Sequence, residues 1–380
     1  MKAQQVSFFE NESYEGFCSE KMAFKPDLIL IFGCSKILSG SFLTTRLRKE
    51  FPDAVISGCS TAGEIRGTEV TERSVVCNAV KFDDTRIVHH SIGLDENTDS
   101  YSAGEKLMKN FKPEGLKHVF VLSDGLHVNG SELVKGIRSA LPANVNVTGG
   151  LAGDGDSFEK TYVIDNDGIA KSNFVAAIGF YGEKIMIGYG SLGGWDSFGI
   201  ERSVTRSNKN VLYEIDKQPA LQLYKSFLGE QAKDLPASGL LFPLSIRSES
   251  HEEPLVRTIL AVNEQDQSLT FAGDIPEGSF VKLMKSNVNR LIEGAGRAAE
   301  VSVRPFDKNK VGFALLISCV GRKIVLKQLV EEEVEAVKDV LGEQAIITGF
   351  YSYGEIAPFL KDTPCELHNQ TMTITTFSEL

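Results

Sequence analysis

The sequence predicts an α/β protein with mixed, partly parallel sheets covered by helices, and two observations carry that prediction. Short apolar runs rich in β-branched residues recur as LILIFGCS (28–35), HVFVLSDG (118–125) and FALLISCVGR (313–322), each followed by a stretch with helical spacing. Runs that are apolar at successive positions suit strands buried on both faces, as in parallel sheets. Each helical stretch then leads into a second strand that breaks into glycines: VISGCSTAGEI (55–65), VNVTGGLAGDG (145–155) and IITGFYSYGEI (346–356). The first and last of these share five of eleven positions and differ by a V/I or S/T exchange at three more. Strand, helix, strand with a short exit is a βαβ unit, so the fold contains internal βαβ-like repeats.

The elements follow in order. Leu38, Phe42 and Leu47 predict a helix that ends at Pro52. SVVCNAVKF (74–82) and RIVHHSIGL (86–94) read as a hairpin around Asp83-Asp84. Ser131 can cap a helix with Leu133, Val134, Ile137 and Leu141 on one face, stopped by Pro142. Over 160–190, Asn166-Asp167-Gly168 and Gly182-Glu183 are turn signals between further hairpin strands. Residues 211–235 have helical spacing, with Leu212, Leu221, Leu223, Tyr224 and Leu228 as apolar members around Pro219. A β-rich region follows in LLFPLSIRS, LVRTILAVN and SLTFAGDI. The last helix buries Leu329, Val330, Val334, Val337 and Leu341 and ends at Gly342, with Glu331, Glu332, Glu333 and Glu335 on a solvated face. TMTITTF alternates like a half-buried strand. A length of 380 residues exceeds a typical single core and predicts two domains, 1–212 and 213–380, closely packed because no Pro/Ser linker separates them.

Composition narrows the function. Forty basic against 51 acidic residues give a net charge of −11, which argues against nucleic acid and anionic membrane as partners. No apolar run approaches the roughly 18 residues that cross a bilayer, and MKAQQVSFFENESYEG lacks a signal-peptide core, so a cytoplasmic protein is expected. Six cysteines at 18, 34, 59, 77, 319 and 365 form no C-x-x-C pair; free thiols are expected, with no zinc site.

Strands ending in glycine expose backbone N–H groups where open α/β sheets hold ligands. The candidate ligand-binding set is therefore Gly58, Cys59, Gly63 and Glu64 from the first tip, Gly149, Gly150 and Asp154 from the second, and Tyr351, Tyr353, Gly354 and Glu355 from the third, joined by Asp124 and His127. The carboxylates could take an amine and the backbone N–H groups an acid, or the carboxylates could serve only their own turns. Tyr351 and Tyr353 share one strand face and could wall an apolar ligand or pack in the core. Arg247 and Arg257 are further candidates for the same cleft. Among the histidines, His127 follows Ser123-Asp124-Gly125 at a strand end, and His368 precedes the final strand. His89 and His90 face opposite sides of a strand, His251 is expected to be exposed, and His118 to cap or lie at the surface.

These motifs, with SDGLHVNGSELVKGI, GGWDSFGIERSVTRSNKNVLYEIDKQPAL, FPLSIRS, RTILAVNEQDQSLTFAGDIPEGS and ELHNQTMTITTF, resemble the FIST family in order from about residue 25 to the C-terminus. The resemblance implies a FIST N-terminal domain and a FIST C-terminal domain that sense a small ligand in intracellular signalling, without catalysis. One branch of the family binds haem, senses nitric oxide and acts on a histidine kinase or a cyclic-di-nucleotide enzyme; it implies haem b as cofactor, with His127 or His368 as the axial candidate. No kinase, receiver or cyclase motif is attached, so the output is expected to pass to another polypeptide. The alternative is a hydrolase in the same cleft, with Cys59 as nucleophile, His127 as base and Asp124 orienting it, or with the loop carboxylates. No Walker loop, dinucleotide fingerprint, H-E-x-x-H or G-x-S-x-G is present.

Overall fold

A computed structural model describes residues 1–10, 22–40, 42–95, 98–248, 251–306, 310–359 and 363–380, with side chains left out at 248 and 251–253. Three six-stranded sheets share one plan. At the centre of each lies the expected parallel pair: Leu28–Gly33 with Val55–Ser60, Leu116–Ser123 with Asn146–Leu151, and Phe313–Cys319 with Ile346–Ser352. The crossover between each pair is helical: Ser35–Ser39 and Phe42–Glu50 in the first, Gly130–Ala140 in the second, Val320–Leu326 and Val330–Leu341 in the third. Each sheet is then completed by another unit. After the first glycine tip, Glu64–Arg66 and Glu69–Thr71 join the third sheet. After the third, Gly354–Pro358 and Cys365–His368 join the second. After the second, Val163–Ile164 and Ala170–Lys171 join the first. The exchange is cyclic, and each lent hairpin returns through a bend with one left-handed non-glycine residue, Arg73, Asn173 or Gln370, into an antiparallel strand of its own sheet.

Strand alternation sorts the core. Leu28, Leu30 and Phe32 point inward to meet Phe120, Phe180, Phe350 and Phe377 in a core common to the sheets, with the Phe32 and Phe350 rings 4.8 Å apart. Ile29 and Ile31 point outward under the first unit's helices. In the second parallel strand of each pair, a glycine faces a backbone carbonyl of the first. A Cβ at Gly58, Gly149 or Gly349 would lie 1.9, 2.0 or 1.8 Å from the carbonyl oxygen of Ile31, Val121 or Leu316. These three glycines therefore permit close strand approach.

Between Ile185–Leu192 and the helix Val288–Ser302, the third unit carries an insertion with its own eight-stranded sheet and its own core around Leu212, Leu221, Tyr224, Leu269 and Phe271. The boundary expected near 212 falls within the strand Val211–Ile215 of this insertion.

Several expectations need correction. Ser74–Lys81 and Arg86–Gly93 do not form a hairpin: the first pairs in the first sheet and the second, through Phe174–Tyr181, in the second sheet. Phe174–Tyr181 and Ile185–Leu192 likewise part into different sheets. The predicted helix over 211–235 begins only at Ala220, after the strand Val211–Ile215. Asn129, not Ser131, caps Gly130–Ala140, its side chain accepting from Glu132 N at 3.1 Å. The final strand Met372–Glu379 is buried on both faces, because Thr373, Thr375 and Thr376 find hydroxyl or carbonyl partners inside. Leu329 is exposed, whereas Glu333 is wholly buried against Arg322, so the acidic run is not a uniformly solvated face.

Candidate functional site

The three glycine tips converge, and they are stitched to one another. Ala62 N donates to Tyr351 O and Tyr351 N to Gly63 O, both at 2.8 Å; Gly153 N donates to Ser60 O at 2.9 Å and Tyr353 N to Leu151 O at 3.2 Å. Their backbone N–H groups are thus largely spent on neighbouring tips. Gly63 and Gly150 are closed in by side chains, Tyr351 and Lys323 at the first, Ile317 and Phe350 at the second.

The carboxylates serve their own turns. Glu64 accepts from Thr61 Oγ1 at 2.5 Å, Ser74 Oγ at 2.6 Å and Ser74 N at 3.3 Å. Glu355 repeats the pattern with Ser352 Oγ at 2.7 Å, Thr371 Oγ1 at 2.9 Å and Thr371 N at 3.1 Å. Burial pushes both carboxyls up to about 7 against these lowering bonds. Asp154 is not their counterpart in the fold. It precedes a loop that only the second unit has, and it accepts from Phe158, Glu159 and Lys160 N at 2.9, 2.8 and 2.7 Å and from the Tyr353 hydroxyl.

That extra loop marks where the repeat departs from its own pattern, and the departures build a cavity of about 690 Å³. The second unit contributes the loop Gly125–Asn129 and, from the Asp154 loop, Asp156 and Phe158. The third unit contributes Cys319, Val320, Ile324 and Tyr353, and the insertion covers them with Leu240, Thr258, Ile259, Leu260 and Phe271. Phe158 stacks on Tyr353 with ring centroids 4.4 Å apart and 10° between planes, and Asp154 holds both. The walls are mostly apolar with a few polar groups, the usual make-up of a small-molecule site.

Of the residues expected to bind ligand, His127 and Tyr353 line this cavity. His127 is exposed, and its Nδ1 lies 3.2 Å from Oδ1 of the buried Asp124. Asp124 also accepts from Leu126, His127 and Asn173 N at 2.9, 2.8 and 3.0 Å, so it orders the loop that presents the imidazole. Tyr351 does not share a wall with Tyr353; its hydroxyl donates to the buried Glu333 at 2.6 Å. Gly58, Gly63, Gly149, Gly150, Gly354, Cys59, Glu64, Asp154 and Glu355 lie outside the cavity lining. Cys59 is wholly buried within its strand, and burial pushes its thiol well up, which removes it as a nucleophile.

His368 is buried, with Nε2 2.9 Å from Ala357 O. His118 is not at the surface; it is buried against Thr148 Oγ1 at 2.8 Å, and burial pushes it down to about 3. His89 faces Ser57 and His90 packs edge-on against Phe111, on opposite sides as expected. The side chain of His251, and Cys18, lie outside the described residues; the other five cysteines are free. Arg257 is buried and donates to Leu367 O at 2.8 Å, while Arg247 pairs with Glu201 at 2.6 Å in a separate groove. The covering residues of the insertion, Thr258 apart, are apolar, and although most lie in RTILAVNEQDQSLTFAGDIPEGS nothing in that stretch marks them as a site. The second unit's loop with Asp156 and Phe158 did leave a signal, the longer spacing after the second tip, ten residues from Gly153 to Val163 against one from Gly63 to Glu64.

Among the described residues no group of His, Cys, Asp and Glu is arranged to hold a metal ion, and no helix is long and apolar enough to cross a membrane. An uncharacterized protein of Methanocaldococcus jannaschii is 26% identical over 245 residues, 56% of this chain; the chain spans 45% of that relative's length. A crystal structure of a cyanuric acid hydrolase from A. caulinodans aligns over 100% of this chain and 99% of its own at 9% identity and a TM-score of 0.37, too low to bear on fold or activity. The FIST N domain matches residues 27–218 and the FIST C domain residues 220–358. The chain belongs to the FIST family, whose domains are small-ligand sensory domains of signal transduction rather than catalysts.

Proposed function

We propose that this chain senses a small ligand held in the cavity between the second and third units and the insertion, and passes its state to a separate partner enzyme, such as a histidine kinase or a cyclic-di-nucleotide enzyme. The observation that carries this reading is the cavity itself: about 690 Å³, walled by Phe158, Tyr353, Ile259 and Phe271, and built where the repeat departs from its own pattern. A ligand there touches both the three-sheet body and the insertion, so its affinity can differ between their relative arrangements.

Its sharper form is a haem-based nitric oxide sensor. The donor chemistry fits one axial ligand: Asp124 engages Nδ1 of the cavity-lining His127, which leaves Nε2 as the nitrogen available to iron. Among the described residues no Lys or Arg lines the cavity, so haem propionates would find no cationic partner in its walls. Haem, when bound, would supply an iron that takes nitric oxide; His127 would orient it and the apolar walls would exclude water. The test is the absorbance spectrum of the whole chain expressed with haem supply. A Soret band that shifts on nitric oxide addition and disappears in His127→Ala supports this form. A colourless protein that takes up no haem removes it and leaves the sensor of an organic ligand.

A further inference from the structure

Behind the cavity wall, and not itself part of the lining, the third unit's bend, Asn369-Gln370, differs from the equivalent bends of the other two units. It places two carboxamides in the interior. Asn369 is 1% exposed and Gln370 is wholly buried. Both polar atoms of the Asn369 side chain and Oε1 of Gln370 lack a hydrogen-bond partner. Buried amides are almost always satisfied, so three unpartnered atoms on adjacent residues call for an explanation.

Their neighbours place them directly behind the cavity wall. Gln370 Nε2 donates to Thr258 Oγ1 at 3.1 Å and to Leu240 O at 3.2 Å, and both residues line the cavity. Because Thr258 Oγ1 accepts this bond, its own proton is free to donate elsewhere. The Cys319 thiol, also in the lining, sits against the backbone N–H groups of Gln370 and Gly321. Asn369 Nδ2 lies against the α-carbon side of Gly354, beside Leu151, another lining residue.

The lining is poor in charge. Among the described residues its ionisable members are Asp156 and His127 on the second unit's loops, the buried Cys319 thiol and the Tyr353 hydroxyl, with no Lys or Arg. Arg257, next to Thr258, is committed to the carbonyls of Leu367 and Asp274 at 2.8 and 3.3 Å. An anionic ligand would therefore be desolvated there without a counter-ion. An Asn carboxamide instead offers a donor and an acceptor side by side, which pair with the acceptor and donor of another amide edge.

We propose that the ligand is a neutral molecule with an apolar body and a carboxamide-type edge, read by Asn369, Gln370 and Thr258. Carboxamides, lactams and cyclic imides share that edge. This rests on the cavity reading above and takes its organic-ligand form in place of its haem form. The apolar body lies between Phe158 and Phe271, and the edge enters the inner wall as the Asn369 side chain turns to meet it.

The test uses the whole chain and three probes of one shape: 2-naphthamide, 2-naphthoate and 2-acetonaphthone, followed by calorimetry and saturation-transfer NMR. The expected result is that 2-naphthamide binds at least tenfold more tightly than the acid or the ketone. Asn369→Leu should bring the three affinities to within about threefold of one another. It should also leave the melting temperature of the ligand-free protein unchanged or raised, because it removes an unsatisfied polar group. Equal binding of the three probes by the wild-type protein, or a preference for the acid, overturns the amide reading while leaving the cavity as a ligand site. Binding of none of them at millimolar concentration overturns the cavity reading and this inference with it. An Asn369→Leu protein that melts lower and keeps the amide preference makes Asn369 a structural residue and also overturns it.

Discussion

Replacing Glu333 by Gln removes the charge of the most deeply buried ion pair while keeping the side-chain shape. Glu333 and Arg322 are both wholly buried. The carboxylate accepts from Arg322 Nη2 and Nε at 2.7 and 3.0 Å, from Ser318 Oγ at 3.0 Å and from the Tyr351 hydroxyl at 2.6 Å. Arg322 also donates to Gly193 O at 2.7 Å and Leu291 O at 2.8 Å. In Glu333→Gln the guanidinium keeps those carbonyls but loses its counter-ion in a low-dielectric interior. Breaking a buried pair from one side costs about 3–5 kcal/mol, which raises the unfolded fraction roughly a hundredfold or more. Equilibrium urea unfolding, read by far-UV circular dichroism and by Trp195, whose indole N–H donates to Gln370 O, would register this as a lower midpoint. The double variant Arg322→Met/Glu333→Leu should be less destabilised than Glu333→Gln alone, because no uncompensated charge remains. A Glu333→Gln protein within about 1 kcal/mol of the wild type would refute the argument, as would a double variant whose loss is the sum of the two single losses.

Stability should also fall with rising pH because of Glu64 and Glu355. Both ionise near pH 4.5 when unfolded and stay protonated up to about 7 when folded, so the folded chain binds more protons across that window. The contribution is whole below about pH 4.5 and gone above about 7, roughly 3 kcal/mol for each group; a Glu64→Gln/Glu355→Gln protein whose urea midpoint keeps the wild-type slope between pH 5 and 8 contradicts this. Gly58→Ala, Gly149→Ala and Gly349→Ala should each cost about 1–3 kcal/mol or more, because the added methyl meets a strand carbonyl at 2.0 Å or less. Soluble yield and urea midpoints check this, and a neutral substitution at any of the three means that the strands are not in contact there. Phe158→Ala should weaken an apolar probe of the cavity about tenfold by deleting the ring stacked on Tyr353, with little change in melting temperature since Phe158 is 39% exposed; calorimetry with 2-acetonaphthone reads it, and unchanged affinity places the probe elsewhere.

The repeats were legible because their signals are local. A β-branched run such as LILIFG must be buried on both faces wherever it pairs, and Gly342 after a helical stripe ends a helix in any context. What each strand pairs with was not legible. Ser74–Lys81 and Arg86–Gly93 have a four-residue connection that reads as a hairpin, yet cyclic exchange sends them to different sheets, and nothing within either strand encodes that. Glu333 read as solvated because its neutralising partner, Arg322, follows a buried strand eleven residues earlier and meets it only after the chain reverses. The tip carboxylates were visible as a motif, but their duty to Ser74 and Thr371 depends on bends that lie ten and sixteen residues further on. His127 and Tyr353 were found because they lie at strand ends; Ile259 and Phe271, which also line the cavity, belong to an insertion where nothing sets them apart from ordinary core residues.

The insertion leaves the body after Leu192 and returns at Val288, and its first and last strands pair at that junction, Asp196 opposite Lys285. The chain thus enters and leaves it through one narrow stem, which includes Gly193, whose carbonyl Arg322 grips from inside the body, while Arg257 and Asp274 tie it to the body elsewhere. Arg322 is rooted in the helix Val320–Leu326, which also contributes Val320 and Ile324 to the proposed ligand cavity. On the proposed reading, a ligand that shifted this helix would act through Arg322 on the root of the insertion, and so on a surface away from the cavity.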